Sequence, residues 1–185
     1  MNRLKHILFV VLTILFCYIV QSVLLPLIAI SAITPNLMLI AVVTFGFIYG
    51  EKKGILTGFI CGLLCDIFFG PALGYTALLY SLIGFICGHV RRLLYMQGIG
   101  FPIIAITVCD LFYGFLNFVF LFLIRNRIIF GQFFFEVMLP ESIYTAVLGS
   151  VFYPLLMLIY EKAVQDSGRV VLLVRNTDDS ENSAL

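Results

Sequence analysis

Long apolar runs, separated by short polar segments or by glycine and proline, dominate this chain. A membrane span needs about 20 mostly apolar residues, within a range of about 17–25. Pro35 suits the start of a helix, because the N–H that proline lacks would be unpaired there. The pattern predicts six transmembrane helices, at 7–30, 36–50, 54–70, 74–94, 99–124 and 140–161.

Three other parts of the chain need a separate interpretation. Residues 125–139 are aromatic but too short to span, so we expect an interfacial or re-entrant turn of helix. Residues 163–185 end in a polar, acidic stretch, which predicts a largely disordered cytoplasmic tail after a six-helix domain at 1–162. The first apolar run exceeds the core of a signal peptide, about 7–15 residues, and is predicted to be retained.

Composition supports a bilayer as the solvent. Of the 185 residues, 62% are hydrophobic and 11% are charged, whereas soluble domains carry about 25% charged residues. A soluble fold of this size could not remove so much apolar surface from water. The net charge of +1 argues against a nucleic-acid partner, which would require a dense basic patch.

The basic residues predict the orientation. If the N-terminus is inside, the outside segments hold only Arg125 and Arg127. Such an excess of positive charge inside is typical of membrane proteins, so we expect both termini in the cytoplasm. The nine basic residues then placed inside are Arg3, Lys5, Lys52, Lys53, Arg91, Arg92, Lys162, Arg169 and Arg175.

The third predicted helix carries glycines four residues apart. Gly54, Gly58 and Gly62 form one shallow groove, because four residues advance a helix by little more than a turn. Small residues at this spacing let two helix backbones approach closely in lipid. The groove is therefore either a packing face within this bundle or a docking face for another protein's helix.

A second pattern is a group of polar residues at the predicted outer ends of the helices. A carboxylate such as Asp66 is costly within a span and is expected to face protein or water, with Arg125 and Arg127 as candidate partners. We expect a polar cluster or shallow cavity, either as a structural network or as a ligand or partner site. Its members are Gln21, Asn36, Asp66, Arg125 and Glu141. Asp110, near the middle of the fifth helix, has no predicted role.

The sequence offers no recognisable catalytic machinery. It lacks the phosphate-binding, dinucleotide-binding, zinc-protease and serine-hydrolase motifs. Its five cysteines lie in apolar runs without zinc spacing and are expected to pack as small apolar residues. We therefore expect neither an enzyme nor a bound metal or cofactor.

With these features in place, the chain resembles the rod shape-determining protein MreD family. The likeness is close over about residues 20–90, and over the rest of the chain it rests on topology alone. It is carried by the order of short motifs: Gln21-Ser22, Pro35-Asn36-Leu37, Gly50-x3-Gly54-x3-Gly58-x2-Cys61-Gly62-Leu63-x2-Asp66, Leu73-Gly74-Tyr75-x-Ala77-Leu78-x-Tyr80, Gly84 and Gly88.

The resemblance implies a scaffold without catalytic activity, in the bacterial cytoplasmic (inner) membrane. Its implied partners are an MreC-like single-span protein, MreB, and the synthases RodA and penicillin-binding protein. Whether the chain also forms a homodimer is left open. The resemblance further implies a fold similar to the substrate-binding S subunits of energy-coupling-factor transporters. A vitamin-binding S subunit is accordingly the alternative function.

Overall fold

The computed structural model describes residues 3–27, 34–69, 72–94, 100–125 and 130–182, and no strand occurs within these ranges. The helices are α1 Arg3–Ile19, continued by a π-helical turn Val20–Leu24 and a 3-10 turn Leu25–Leu27, then α2 Leu37–Tyr49, α3 Glu51–Phe69, α4 Tyr75–Leu94, α5 Gly100–Arg125, α6 Phe130–Phe133, a π-helical turn Phe134–Met138, and α7 Leu139–Asn182. The prediction of an all-α protein with six long helices is confirmed for this part of the chain; α6 is a single turn.

α2 lies at the centre of the bundle. Every residue of α2 from Leu37 to Ile48 is buried, and the helix contacts α1, α3, α4, α5 and α7. A helix that is apolar on all sides is expected to be enclosed by other elements. The short second span of the sequence pattern is therefore the core around which the other helices pack.

The outward faces of the surrounding helices are apolar. Large side chains are more than half exposed on α1, α3, α4 and α7, among them Leu12, Phe68, Leu78 and Val147. Two helical stretches of the described chain, Phe101–Phe120 and Gly131–Tyr160, are long and apolar enough to cross a membrane. Shorter apolar helices lie at Val10–Leu24, Leu37–Tyr49 and Tyr75–Val90.

The segment before the last helix differs from the prediction. We expected an interfacial or re-entrant turn at 125–139 and a sixth span starting at 140. The structure instead makes α6, the π-helical turn and α7 one continuous helical run from Phe130. Pro140 does not start the helix, because an adjacent π-helical turn lets a helix continue past a residue that lacks an N–H.

The end of the chain also differs. We expected a largely disordered tail after residue 162, but α7 continues to Asn182. The polar and acidic composition gave no sign of this continuation, which extends an existing helix and so needs no new nucleus. The boundary of the membrane domain at residue 162 remains a prediction, as does the inside location of both termini.

Candidate functional site

The glycine groove of α3 is occupied by α4. Gly54, Gly58 and Gly62 are buried, and a side chain added at Gly58 would overlap the carbonyl group of Tyr80. A side chain at Gly62 would come within 2.6 Å of the backbone nitrogen of Ala77. α3 and α4 thus touch backbone to backbone, and the groove is an internal packing face.

α4 contributes matching glycines that the prediction of the groove did not include. A Cβ at Gly84 would lie 2.7 Å from the backbone carbon of Gly54, and one at Gly88 would lie 2.6 Å from that of Gly50. The four-residue spacing of Gly84 and Gly88 is the same small-residue signal as on α3. Applied to both helices together, that signal would have predicted their pairing.

Asp66 holds the start of α4. Its carboxylate accepts hydrogen bonds from the backbone N–H groups of Gly74 at 2.9 Å, Thr76 at 3.0 Å and Ala77 at 3.0 Å. A carboxylate at the N-terminus of a helix satisfies amides that have no partner within the helix and is favoured by the helix dipole. The predicted partners were arginines, but Arg127 and the side chain of Arg125 lie outside the described part.

Asn36 and Gln21 fix the start of α2. The Asn36 Oδ1 atom accepts from the Leu39 N–H at 3.1 Å and from the Tyr80 hydroxyl at 2.7 Å. Gln21 Oε1 accepts from the N–H of Met38 at 2.7 Å. These bonds connect the end of the first helical stretch, α2 and α4, so both predicted polar residues serve the structure.

Asn36 also connects to the last helix. Its backbone N–H donates to the Thr145 hydroxyl at 3.1 Å, and Thr145 is fully buried on α7. Neither Tyr80 nor Thr145 was predicted as part of the cluster. Their contacts with Asn36 join positions 44 and 109 residues apart, for which periodicity within one helix provides no signal.

The polar residues surround a cavity of about 350 Å³. It contains three of the predicted cluster residues, Gln21, Asn36 and Glu141, whereas Asp66 lies outside it and binds the backbone of Thr76, which lines it. The described lining is Tyr18, Gln21, Ser22, Pro26, Thr34, Pro35, Asn36, Cys65, Thr76, Tyr80, Tyr113, Asn117 and Glu141.

Asp110 is a second buried carboxylate, with a different environment. It is 3% exposed, and neither of its oxygens has a hydrogen-bond partner within the described chain. The hydroxyls of Ser142 and Thr145 on α7 face it without hydrogen-bond geometry. Within the described residues, no three side chains of His, Cys, Asp or Glu are arranged to hold a metal ion.

The comparison with known protein families decides the affiliation of the chain. The model of the family described as rod shape-determining protein MreD matches residues 2–163. This chain belongs to the MreD family. The resemblance of the sequence motifs is thereby confirmed, and with it a role in rod-shape determination and a location in a membrane.

The other two comparisons found no relative. No curated protein and no solved structure matches the chain. The expected likeness to transporter S subunits therefore remains a prediction.

Proposed function

We propose that this chain is a non-enzymatic membrane scaffold of the bacterial cell-elongation machinery. In the cytoplasmic membrane, it would help couple an MreC-like single-span protein and MreB to peptidoglycan synthesis by RodA and a penicillin-binding protein. The observation that carries the proposal is the MreD family match over residues 2–163. That match gives no support to the alternative of a vitamin-binding transporter subunit.

The packing of α2, α3 and α4 supports a scaffold role. A scaffold must hold its binding surfaces in a fixed relation to one another. Backbone contact between α3 and α4, next to the enclosed α2, leaves little room for adjustment, because close-packed interiors transmit strain rather than deform freely.

A partner's transmembrane helix would dock on an outward face of this bundle. The groove of α3 is filled by α4, whereas Leu56, Phe59 and Phe68 on α3 are 58%, 48% and 62% exposed. In lipid, such faces associate through close side-chain packing. Of the outward faces, we choose that of α3 for the test, because this helix is fixed on its inner side by α4.

Photo-crosslinking in native membranes tests this role. A photoreactive residue replaces Leu56, Phe59 or Phe68 in turn, and the buried Thr57, 5% exposed, provides the matched control on the same helix. We expect the exposed positions to capture a single-span protein and the Thr57 position to capture none. Capture of a second copy instead would identify a homodimer as the occupant.

The cellular readout is rod shape. Cells deprived of the chain should become round, and the unmodified chain should restore rods. Normal rods without the chain would contradict the proposed role. Restored rods without any crosslink from α3 would reject this docking face while leaving the role intact.

A further inference from the structure

The cavity has the size and the polarity of a small binding site. Its volume of about 350 Å³ falls at the lower end of the range for ligand pockets, about 300–1,000 Å³. Its lining comes from helix ends that the charge pattern predicts to face outside. A site there would be open to small polar molecules and to lipid headgroups.

Glu141 is the charged residue among the described lining residues. No described residue forms a hydrogen bond or an ion pair with its carboxylate. Asp110 is a second carboxyl group close to Glu141. A carboxylate within a membrane protein is costly without a partner, so this pair favours a positively charged occupant and disfavours an anion.

The remaining lining fits an organic cation better than a bare metal ion. Tyr18, Tyr80 and Tyr113 contribute three aromatic side chains to the wall, and aromatic faces attract ammonium groups. The side-chain oxygens of Gln21 and Asn36 already accept from the backbone and from Tyr80. Glu141 is left as the strong acceptor that a ligand could reach.

We propose that this cavity binds an organic ammonium group, with Glu141 as the counter-charge and the three tyrosines as the surrounding wall. The group could belong to a lipid headgroup or to a free amine, which share this chemistry. The site does not depend on the scaffold role, because it rests on the cavity and its charge alone.

Native mass spectrometry of the purified full chain tests the site. The protein is placed in phosphatidylglycerol nanodiscs, which supply no ammonium group, and is offered phosphatidylethanolamine or its N-acetylated form, which has lost the positive charge. We expect retention of the first lipid and not of the second. If free ethanolamine displaces the retained lipid, a free amine is sufficient for binding. If it does not, the ammonium group must come from a lipid headgroup.

Variants connect the binding to the cavity. Glu141→Gln should weaken retention of phosphatidylethanolamine about tenfold, as expected for loss of a charge-assisted bond. The matched control is Glu136→Gln, which removes an exposed carboxylate outside the cavity and should change nothing. If Glu141→Gln does not fold, Tyr113→Leu replaces it, with weaker binding expected from the lost ring.

Several outcomes would overturn the site. Equal retention of the N-acetylated lipid would show that the positive charge does not contribute to binding. Unchanged binding by Glu141→Gln would show that Glu141 is not the counter-charge. If the unmodified chain retains neither phosphatidylethanolamine nor free ethanolamine, the proposal is also rejected. Binding that appears only in Arg125→Gln would show that an internal arginine, not a ligand, balances Glu141.

Discussion

Two helix pairs of this protein use glycine in different ways. Between α3 and α4, a side chain at Gly58 would meet the backbone of Tyr80. Between α5 and α7, a Cβ at Gly149 would meet the end of the Ile106 side chain, at 3.3 Å from Cδ1. A backbone cannot move aside without shifting its helix, whereas a side-chain end can rotate. The distance between α3 and α4 is therefore fixed, whereas the distance between α5 and α7 can adjust.

The buried carboxylates of the two helix pairs also differ in their hydrogen-bond partners. Asp66, between α3 and α4, accepts three backbone hydrogen bonds. Asp110, between α5 and α7, has no hydrogen-bond partner among the described residues. A buried charge with partners contributes to stability, and one without them reduces it. The α3–α4 pair is therefore the rigid part of the bundle, and the carboxyl groups of the proposed binding site lie on α5 and α7.

The largest effect is expected for Gly58→Ala. The added methyl group would overlap the carbonyl of Tyr80, so α3 and α4 must separate, and the free energy of unfolding should fall by about 3 kcal/mol or more. Denaturant unfolding in detergent micelles measures this change. The control is Gly131→Ala, where a Cβ meets nothing within 4 Å. Equal stability of the two variants would refute backbone contact at α3–α4.

The next effect is expected for Asp66→Asn. The amide keeps one acceptor oxygen and places an NH2 group where a second acceptor is required, so α4 loses part of its N-terminal cap. The free energy of unfolding should fall by about 1–3 kcal/mol, the cost of unpaired buried groups. The same unfolding assay applies, with Glu136→Gln as the exposed control. No change would mean that the cap does not contribute.

Asp110→Asn should have the opposite sign. It removes a buried charge that has no described hydrogen-bond partner, so the free energy of unfolding should rise by about 1 kcal/mol when no amine is present. The measurement is the unfolding midpoint of this variant beside Asp66→Asn. A decrease as large as that of Asp66→Asn would show that both carboxylates are equally well satisfied, and the contrast would be lost.

The smallest effect is expected for Gly149→Ala. The new methyl group would meet a side-chain end at 3.3 Å, which Ile106 can relieve by a small rotation. Alanine also favours a helix over glycine by about 1 kcal/mol, so stability should change by less than about 1 kcal/mol. Thermal unfolding in micelles measures it. A loss comparable to that of Gly58→Ala would show that α5 and α7 are as rigidly spaced as α3 and α4.

Much of the architecture could be predicted from hydrophobicity and spacing. The length of the apolar runs predicted the six long helices because a span requires a nearly uninterrupted apolar stretch. The spacing of Gly54, Gly58 and Gly62 predicted a close helix contact but left its partner open. The continuous helical run from Phe130 was missed because a π-helical turn changes the hydrogen-bond pattern without a sequence signal of its own.

The candidate site was only partly predictable. A polar residue in a span is conspicuous because burial is costly, so Gln21, Asn36 and Glu141 were found, and the structure places them around one cavity. Tyr80 was missed, since tyrosine is common in apolar runs and its hydrogen bond to Asn36 joins distant parts of the chain. Asp66 was found as a polar residue, but its three bonds to the backbone around the start of α4 had no sequence signal. Its pairing with Arg125 or Arg127 stays a prediction.

The sequence by itself determined that the chain is helical and apolar enough for a membrane, and which family it joins, because these depend on local composition and order. Only the tertiary structure decided that α4 fills the glycine groove, that Asp66 caps α4, and that Asp110 has no hydrogen-bond partner among the described residues. The physical reason is that spacing along one helix fixes which residues share a face, whereas the neighbour of that face depends on how all the helices pack.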